Sequence, residues 1–378
     1  MIDGSVATTG VEALDSVLGG LYWGDNVVFD ADDRASVEPF YGAAAESGEA
    51  YAQTAYVVVD SDRDEVAKRF PGFAVLDARP GAPLAQPRLL LDAVRKVAGG
   101  GRSLVLFDSL VAMAELWGLD VAARFFRRGC PLLLELGAIA YWWLPGGEAG
   151  RVLRRDVEEV TQCVLTIAGG RLRISKAEGR PPGVQGTVFR YRHAAGSPEL
   201  APAPGAARIG AALHSVRVQR GLSQTDLARM AGVSPSAISQ AERGQRGLSL
   251  ETLLSLSAGL HITLDELLRG EVAPGYRLGR RHDPRQLPVG QAVPLLDDPE
   301  AGLRTFVVRL TPGESSAPPL AHKGVELVAI VDGLVQVVLT GSRPVLRRGE
   351  VLLAEQSGIT SWRNAGEGDA LLLWIPRD

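Results

Sequence analysis

Apolar positions follow three successive patterns along the chain. Over residues 1–193, short apolar runs ("NVVF", "YAQTAYVVVD", "FAVLDA", "SLVLFDSL", "AIAYWWLP", "QCVLTIAGG", "RLRISKA") alternate with stretches at helical spacing ("EPFYGAAAESG", "DEVAKRF", "PRLLLDAVRKVAGG", "DVAARFFRRGCPLLLELG"). That alternation predicts a largely parallel sheet covered by helices and closing with an antiparallel hairpin. Residues 207–270 keep a helical period throughout. Residues 285–378 return to short strand-like runs cut by Gly and Pro ("LRTFVVRLTPGE", "VELVAIVDG", "LVQVVLTG", "GEVLLAEQSG", "ALLLWIP"), which predicts a small β-barrel. Pro- and Gly-rich stretches at 194–206 and 271–284 are expected to be linkers. The expected fold is multidomain: an α/β domain at 1–193, an all-α domain at 207–270 and an all-β barrel at 285–378.

Composition narrows the function classes. A chain of 378 residues favours two or three cores over one. No apolar run approaches the roughly 18 residues of a membrane span, so no membrane contact is expected. The opening "MIDGSVATTG" has neither the basic nor the apolar region of an export signal, and a cytoplasmic location is expected. Cys130 and Cys163 sit in apolar surroundings and read as buried free thiols; two cysteines exclude zinc fingers. The net charge of −4 argues against a chain that binds nucleic acid non-specifically, so any such contact must be local.

The all-α segment carries the sharpest signal. Ser223 with Asp226 marks a helix start, Ala231-Gly232-Val233 a tight turn, and Ser234-Pro235 a second start. Ile209, Leu213, Val216 and Arg217 are expected on one face of the first helix, and Leu227, Ala228, Met230, Ile238 and Ala241 are the expected inward positions of the next two. Pro235, Ser236, Ser239 and Gln240 are left on the outward face of the second helix, with Arg243 and Arg246 just beyond it. Such a face suits a major groove, because Gln can pair bidentately with adenine and Ser with several bases, while the arginines meet phosphates. The segment is also locally basic, with Arg208, Arg217, Arg220, Arg229, Arg243, Arg246 and Arg269 against five acids. A helix bundle used for protein contact is the alternative.

"LSQTDLARMAGVSPSAISQAERG" and the following "LSLETLLSLSAGLHITLDELL" closely resemble the λ-repressor and Xre-type helix-turn-helix family, across residues 209–268. The resemblance implies Gln224 and Ser234 near phosphates, Ser236, Ser239 and Gln240 toward base edges, and Glu242 in a structural role; Thr225, Pro235, Arg243 and Arg246 complete the expected DNA-binding set. Such modules usually act as dimers, since one recognition helix reads too few bases.

"LTPGESSAPPLAHKGVELVAIVDGLVQVVLTGSRPVLRRGEVLLAEQSGITSWRN" resembles the cupin family, and a helix-turn-helix joined to a cupin is a common bacterial regulator architecture. The family's His-x-His, Glu and last His, which hold a divalent ion, map to Leu320, His322, Glu326 and Thr360. Two of four ligands remain, so the resemblance implies neither a tightly held metal nor a metal-dependent catalyst. His322, Glu326, Thr360 and Trp362 are the expected small-ligand residues. For His322 a surface position is the alternative, and for Trp362 core packing.

"TTGVEALDSVLGGLYWGDNVVF" and "SLVLFDSLVAM" resemble the RecA-like ATPases of the circadian-clock and recombinase group, with Asp60 and Asp108 at the acidic positions. The Gly-Lys-Thr end of that family's phosphate loop falls on Ser36, Val37 and Glu38. Asp30, Asp32, Asp33 and Glu38 would repel a triphosphate, so the domain is expected to be degenerate, to hold no cofactor and to serve as an oligomerisation platform. Asp108 then reads as a carboxylate capping a buried strand. The combined expectation is a bacterial transcriptional regulator that binds double-stranded DNA as a homodimer or higher oligomer and takes a small-molecule effector. An enzyme, either an unusual ATPase or a cupin catalyst, is the alternative.

Overall fold

The computed structural model describes residues 6–377 apart from 48–50, 182, 195, 204, 270–277, 280–286, 299–301, 320–323 and 356–357. The chain forms two compact units, residues 1–275 and 276–378.

In the first unit, β1 (Val6–Ala7) pairs with β2 (Leu21–Tyr22). The main sheet contains β3 (Asn26–Ala31), β4 (Gln53–Val58), β5 (Ala74–Asp77), β6 (Ser103–Phe107), β7 (Ile139–Leu144), β8 (Cys163–Ala168), β9 (Arg171–Ala177), β10 (Val188–Ala194) and β11 (Ser197–Pro202). Their order is β11-β10-β9-β8-β3-β7-β6-β4-β5. The strands from β8 to β5 are parallel, and β9, β10 and β11 extend the sheet antiparallel.

Seven helices accompany the sheet among the described residues: α1 (Glu12–Leu18), α2 (Glu38–Glu46), α3 (Arg63–Arg69), α4 (Pro87–Ala98), α5 (Leu110–Trp117), α6 (Leu119–Glu135) and α7 (Gly147–Val160). The apolar run of β3 is explained by burial on both faces. Val27 and Phe29 enter one core with Phe40 and Tyr141, and Val28 enters the other with Leu90, Phe126 and Trp142. Trp142 is fully buried, stacks on Phe107 and donates from Nε1 to Asn26 Oδ1 at 3.1 Å. Core packing is therefore its role.

The stretch expected to be the first linker contains a strand. Residues 197–202 form β11, which turns back on β10 through Gly196 at φ +84° and becomes the sheet edge. Pro198 and Pro202 are tolerated there because an edge strand leaves one row of N–H groups unpaired. The second expected linker, 271–284, lies almost wholly outside the described residues. No described helix is long and apolar enough to cross a membrane.

The same unit continues into α8 (Gly205–Gln219), α9 (Gln224–Ala231), α10 (Pro235–Glu242), α11 (Leu250–Leu260) and α12 (Leu264–Arg269), packed around Leu213, Val216, Leu227, Ile238, Leu256 and Leu260. The second unit contains two antiparallel sheets. One orders β12 (Ala292–Asp298), β13 (Leu303–Leu310), β20 (Ala370–Arg377), β15 (Val325–Asp332) and β18 (Val351–Ala354). The other orders β14 (Ser315–Ser316), β19 (Ile359–Asn364), β16 (Leu334–Leu339) and β17 (Val345–Arg347). Val308, Val328, Val337, Trp362, Leu372 and Trp374 fill the core of this unit.

Candidate nucleic-acid interface

Local chemistry sets each end of the helix pair α9–α10. The Ser223 side chain accepts from the Asp226 N–H while the Asp226 carboxylate accepts from the Ser223 N–H, a complete capping box. Gly232, at φ +66°, ends α9 with its N–H on the Ala228 carbonyl. Ser234 caps α10 by accepting from Ala237, and Pro235 occupies the first turn, where no N–H is needed. Leu227, Ala228, Ile238 and Ala241 then face the core, as their spacing predicts, whereas Met230, expected inward, is 39% exposed.

Two contacts fix the angle of α10. At Gly210 of α8, a Cβ would lie 1.9 Å from the Ala241 carbonyl oxygen, so only glycine lets the two backbones approach. Gly210→Val is expected to cost about 2 kcal/mol or more in chemical denaturation, since backbone must move to admit it. At the same C-terminal end of α10, the Glu242 carboxylate is 3% exposed and accepts from Arg217 Nε at 2.6 Å and Gln224 Nε2 at 2.9 Å, with His214 Nδ1 at 3.4 Å. Burial by itself would raise the Glu242 carboxyl, but the bonds from His214, Arg217 and Gln224 outweigh it and hold the group at about 2.

The expected DNA-facing residues divide into two groups. Thr225, Ser234, Pro235, Ser236, Arg243 and Arg246 are exposed. Ser239 and Gln240 are half-buried, and Gln224, expected near phosphates, turns its amide onto Glu242. Arg243 folds its Nε back onto the Ser239 carbonyl at 3.1 Å. Its own carbonyl and that of Gly244 accept from Arg171 on β9, an attachment the sequence pattern did not reveal. Arginine at a helix C-terminus satisfies carbonyls that lack a helical partner and complements the helix dipole.

At the loop after β3, Asp33 caps a 3-10 turn over Arg34–Ser36 and α2 begins at Glu38. Arg34 reaches between two carboxylates, donating to Asp108 Oδ1 at 2.7 Å, to Asp60 Oδ1 at 2.8 Å and to the Ser61 hydroxyl. Asp108 is fully buried. Its Oδ2 accepts from the backbone N–H groups of Val59, Asp60 and Ser61 at 3.2, 3.1 and 2.8 Å. Partial burial, and then the like charge of Asp108, push the Asp60 carboxyl up to about 6.

In the barrel unit, the expected ligand residues do not converge. Glu326 is buried with both oxygens engaged, by the Ile359 N–H at 3.0 Å and by Trp374 Nε1 at 2.8 Å. Trp362 is core, 5.8 Å from Trp374 between ring centroids. Thr360 is exposed and donates to the Val338 carbonyl at 3.0 Å. Simple alternation would put it on the face of Trp362, but a bulge between the Ser361 and Ile359 pairings turns it outward. His322 lies outside the described residues.

Residues 213–267 match the family described as Helix-turn-helix (HTH_3), and residues 306–376 match that described as Cupin domain (Cupin_2). The chain carries a helix-turn-helix domain and a cupin domain. It is similar to the HTH-type transcriptional regulator SutR of Escherichia coli K12, 26% identical over 160 residues that make up 42% of this chain and 88% of SutR. Among solved structures, an HTH_3 family transcriptional regulator from Vibrio cholerae is 22% identical, covering 46% of this chain and 97% of its own, with a TM-score of 0.22. Hydroxypropylphosphonic acid epoxidase from S. wedmorenis is 18% identical over 46% and 98% of the two chains, with a TM-score of 0.21. Scores at this level carry no argument about fold or activity.

Proposed function

We propose that the protein is a cytoplasmic, sequence-specific transcriptional regulator that lays α10 in the major groove of double-stranded DNA and acts as a homodimer or higher oligomer. The observation that carries this reading is helix α10 itself: its C-terminal end is seated by Gly210 and Glu242, and its capped N-terminal end presents Ser234, Pro235 and Ser236 to solvent. Gln240 reads a base edge, and Arg243 with Arg246 meets the backbone. The similarity to the regulator SutR over 42% of this chain supports the same role.

The α/β domain is read as a RecA-like relic that no longer turns over nucleotide. Arg34 supports this, because its guanidinium already engages the Asp60 and Asp108 carboxylates that a metal ion would need. The domain would then serve in self-association.

Selection of genomic fragments followed by gel-shift titration tests the DNA reading. Combined replacement of Gln240 and Arg243 by Ala should weaken retention of the selected site by about 10- to 100-fold, the worth of one base contact and one phosphate contact. Unchanged affinity would remove α10 from the groove.

A further inference from the structure

We infer that the cleft between the β8–β9–β10 face and the helix-turn-helix is a binding site for a small organic anion carrying a carboxylate or phosphate group. The cleft holds about 590 Å³ and is bounded by Arg171 and Arg173 on the sheet and by His214, Gln224, Ser239 and Glu242 on the helices. That volume lies within the usual range for small-molecule sites.

Arg173 supplies the charge. Leu172 and Ile174 point into the sheet core, so alternation along β9 sends Arg171 and Arg173 to the opposite face. Arg171 is occupied by the carbonyls at the end of α10. Arg173 donates from Nε to Ser175 Oγ at 3.2 Å, and its two terminal amino groups have no hydrogen-bond partner among the described residues. The acids around it are Glu242, Asp30 and Glu158. Glu242 already accepts from Arg217, and Asp30 from Arg154 at 2.7 Å. Arg173 is half-buried, and burial lowers its guanidinium from the usual value against the opposing charges of Glu242, Asp30 and Glu158.

A bidentate oxyanion would complete this arginine, with the Gln224 amide and Ser239 hydroxyl across the cleft to orient the rest of the ligand. DNA phosphate is the rival source of an anion. Partly desolvated Arg173 suits a molecule that enters the cleft, whereas the exposed Arg190 and Arg192 on the neighbouring strand suit a backbone passing outside. Because Gln224 and Ser239 belong to the expected DNA-facing set, occupancy of the cleft would weaken DNA retention; this consequence rests on the proposed regulatory function.

Calorimetric titration of the full chain with inorganic phosphate, pyrophosphate and citrate, at constant ionic strength and without DNA, tests the site. At least one of these anions should bind saturably at one site per chain. Arg173→Gln should weaken it about tenfold or more. Ala168→Phe, which adds bulk at an exposed position on the cleft wall, should do likewise while melting close to wild type. Equal binding by wild type and both variants, or no saturable binding of any of the three, overturns the site. An Arg173→Gln effect confined to the salt dependence of DNA binding also overturns it and assigns the residue to the phosphate backbone. Anion binding that holds in a protein retaining no DNA supports the site and removes the regulatory reading.

Discussion

Glu242→Ala should cost the helix-turn-helix about 3 kcal/mol or more and abolish its retention of DNA. The carboxylate is 3% exposed and gathers Arg217, Gln224 and His214 from two other helices, so its removal leaves a largely buried guanidinium without a counter-ion and frees the C-terminal end of α10. Chemical denaturation should show the loss directly. Glu242→Gln keeps the shape and distinguishes charge from packing through pH. The folded carboxyl titrates at about 2, below its ordinary value of 4.5, so its contribution is complete above pH 4.5 and is lost as pH falls toward 2. Wild-type melting temperature should drop across that window, and the glutamine variant should lack this part of the drop. Parallel acid profiles would mean that the Glu242 charge does not stabilise the fold.

Asp108→Ala should destabilise the α/β domain by about 4 kcal/mol, a large share of the stability of an ordinary domain. Three backbone N–H groups after β4, the Ser61 hydroxyl and Arg34 all end on this fully buried carboxylate. Alanine would leave those donors without their acceptor. Hydrogen exchange should locate the opening at residues 59–61. Preserved stability with altered nucleotide binding would instead make Asp108 a ligand-handling residue. Arg34→Gln should have a smaller effect than Asp108→Ala, because Arg34 is partly exposed while the backbone donors are inside.

Much of this was legible because it depends on near neighbours in the chain. The seven strands expected in the α/β domain are present, since period and β-branched content report burial on both sheet faces. The caps at Ser223 and Ser234, the turn at Gly232 and the inward positions Leu227 and Ile238 were legible for the same reason. Helix α7 was not anticipated. Leu153, Val157 and Val160 fall at helical spacing there, but Gly146, Gly147 and Gly150 at its start read as a turn and masked it. Strand β11 was hidden by Pro198 and Pro202, whose cost depends on whether a strand lies at an edge, which a local reading cannot know. Thr360 was named because the last cupin His maps onto it, and one bulge turns it outward.

The sequence by itself therefore determined the three kinds of domain, the helix boundaries of the helix-turn-helix and which residues face outward at the start of α10. Only the tertiary structure decided that Glu242 clamps Arg217 and Gln224, that Arg34 bridges Asp60 and Asp108, and that Arg171 ties the sheet to the end of α10. The physical reason is common to all three. A capping box or a buried face is set by residues a few positions apart, whereas a charge finds its partner across 25 to 74 positions, which only the folded chain brings together.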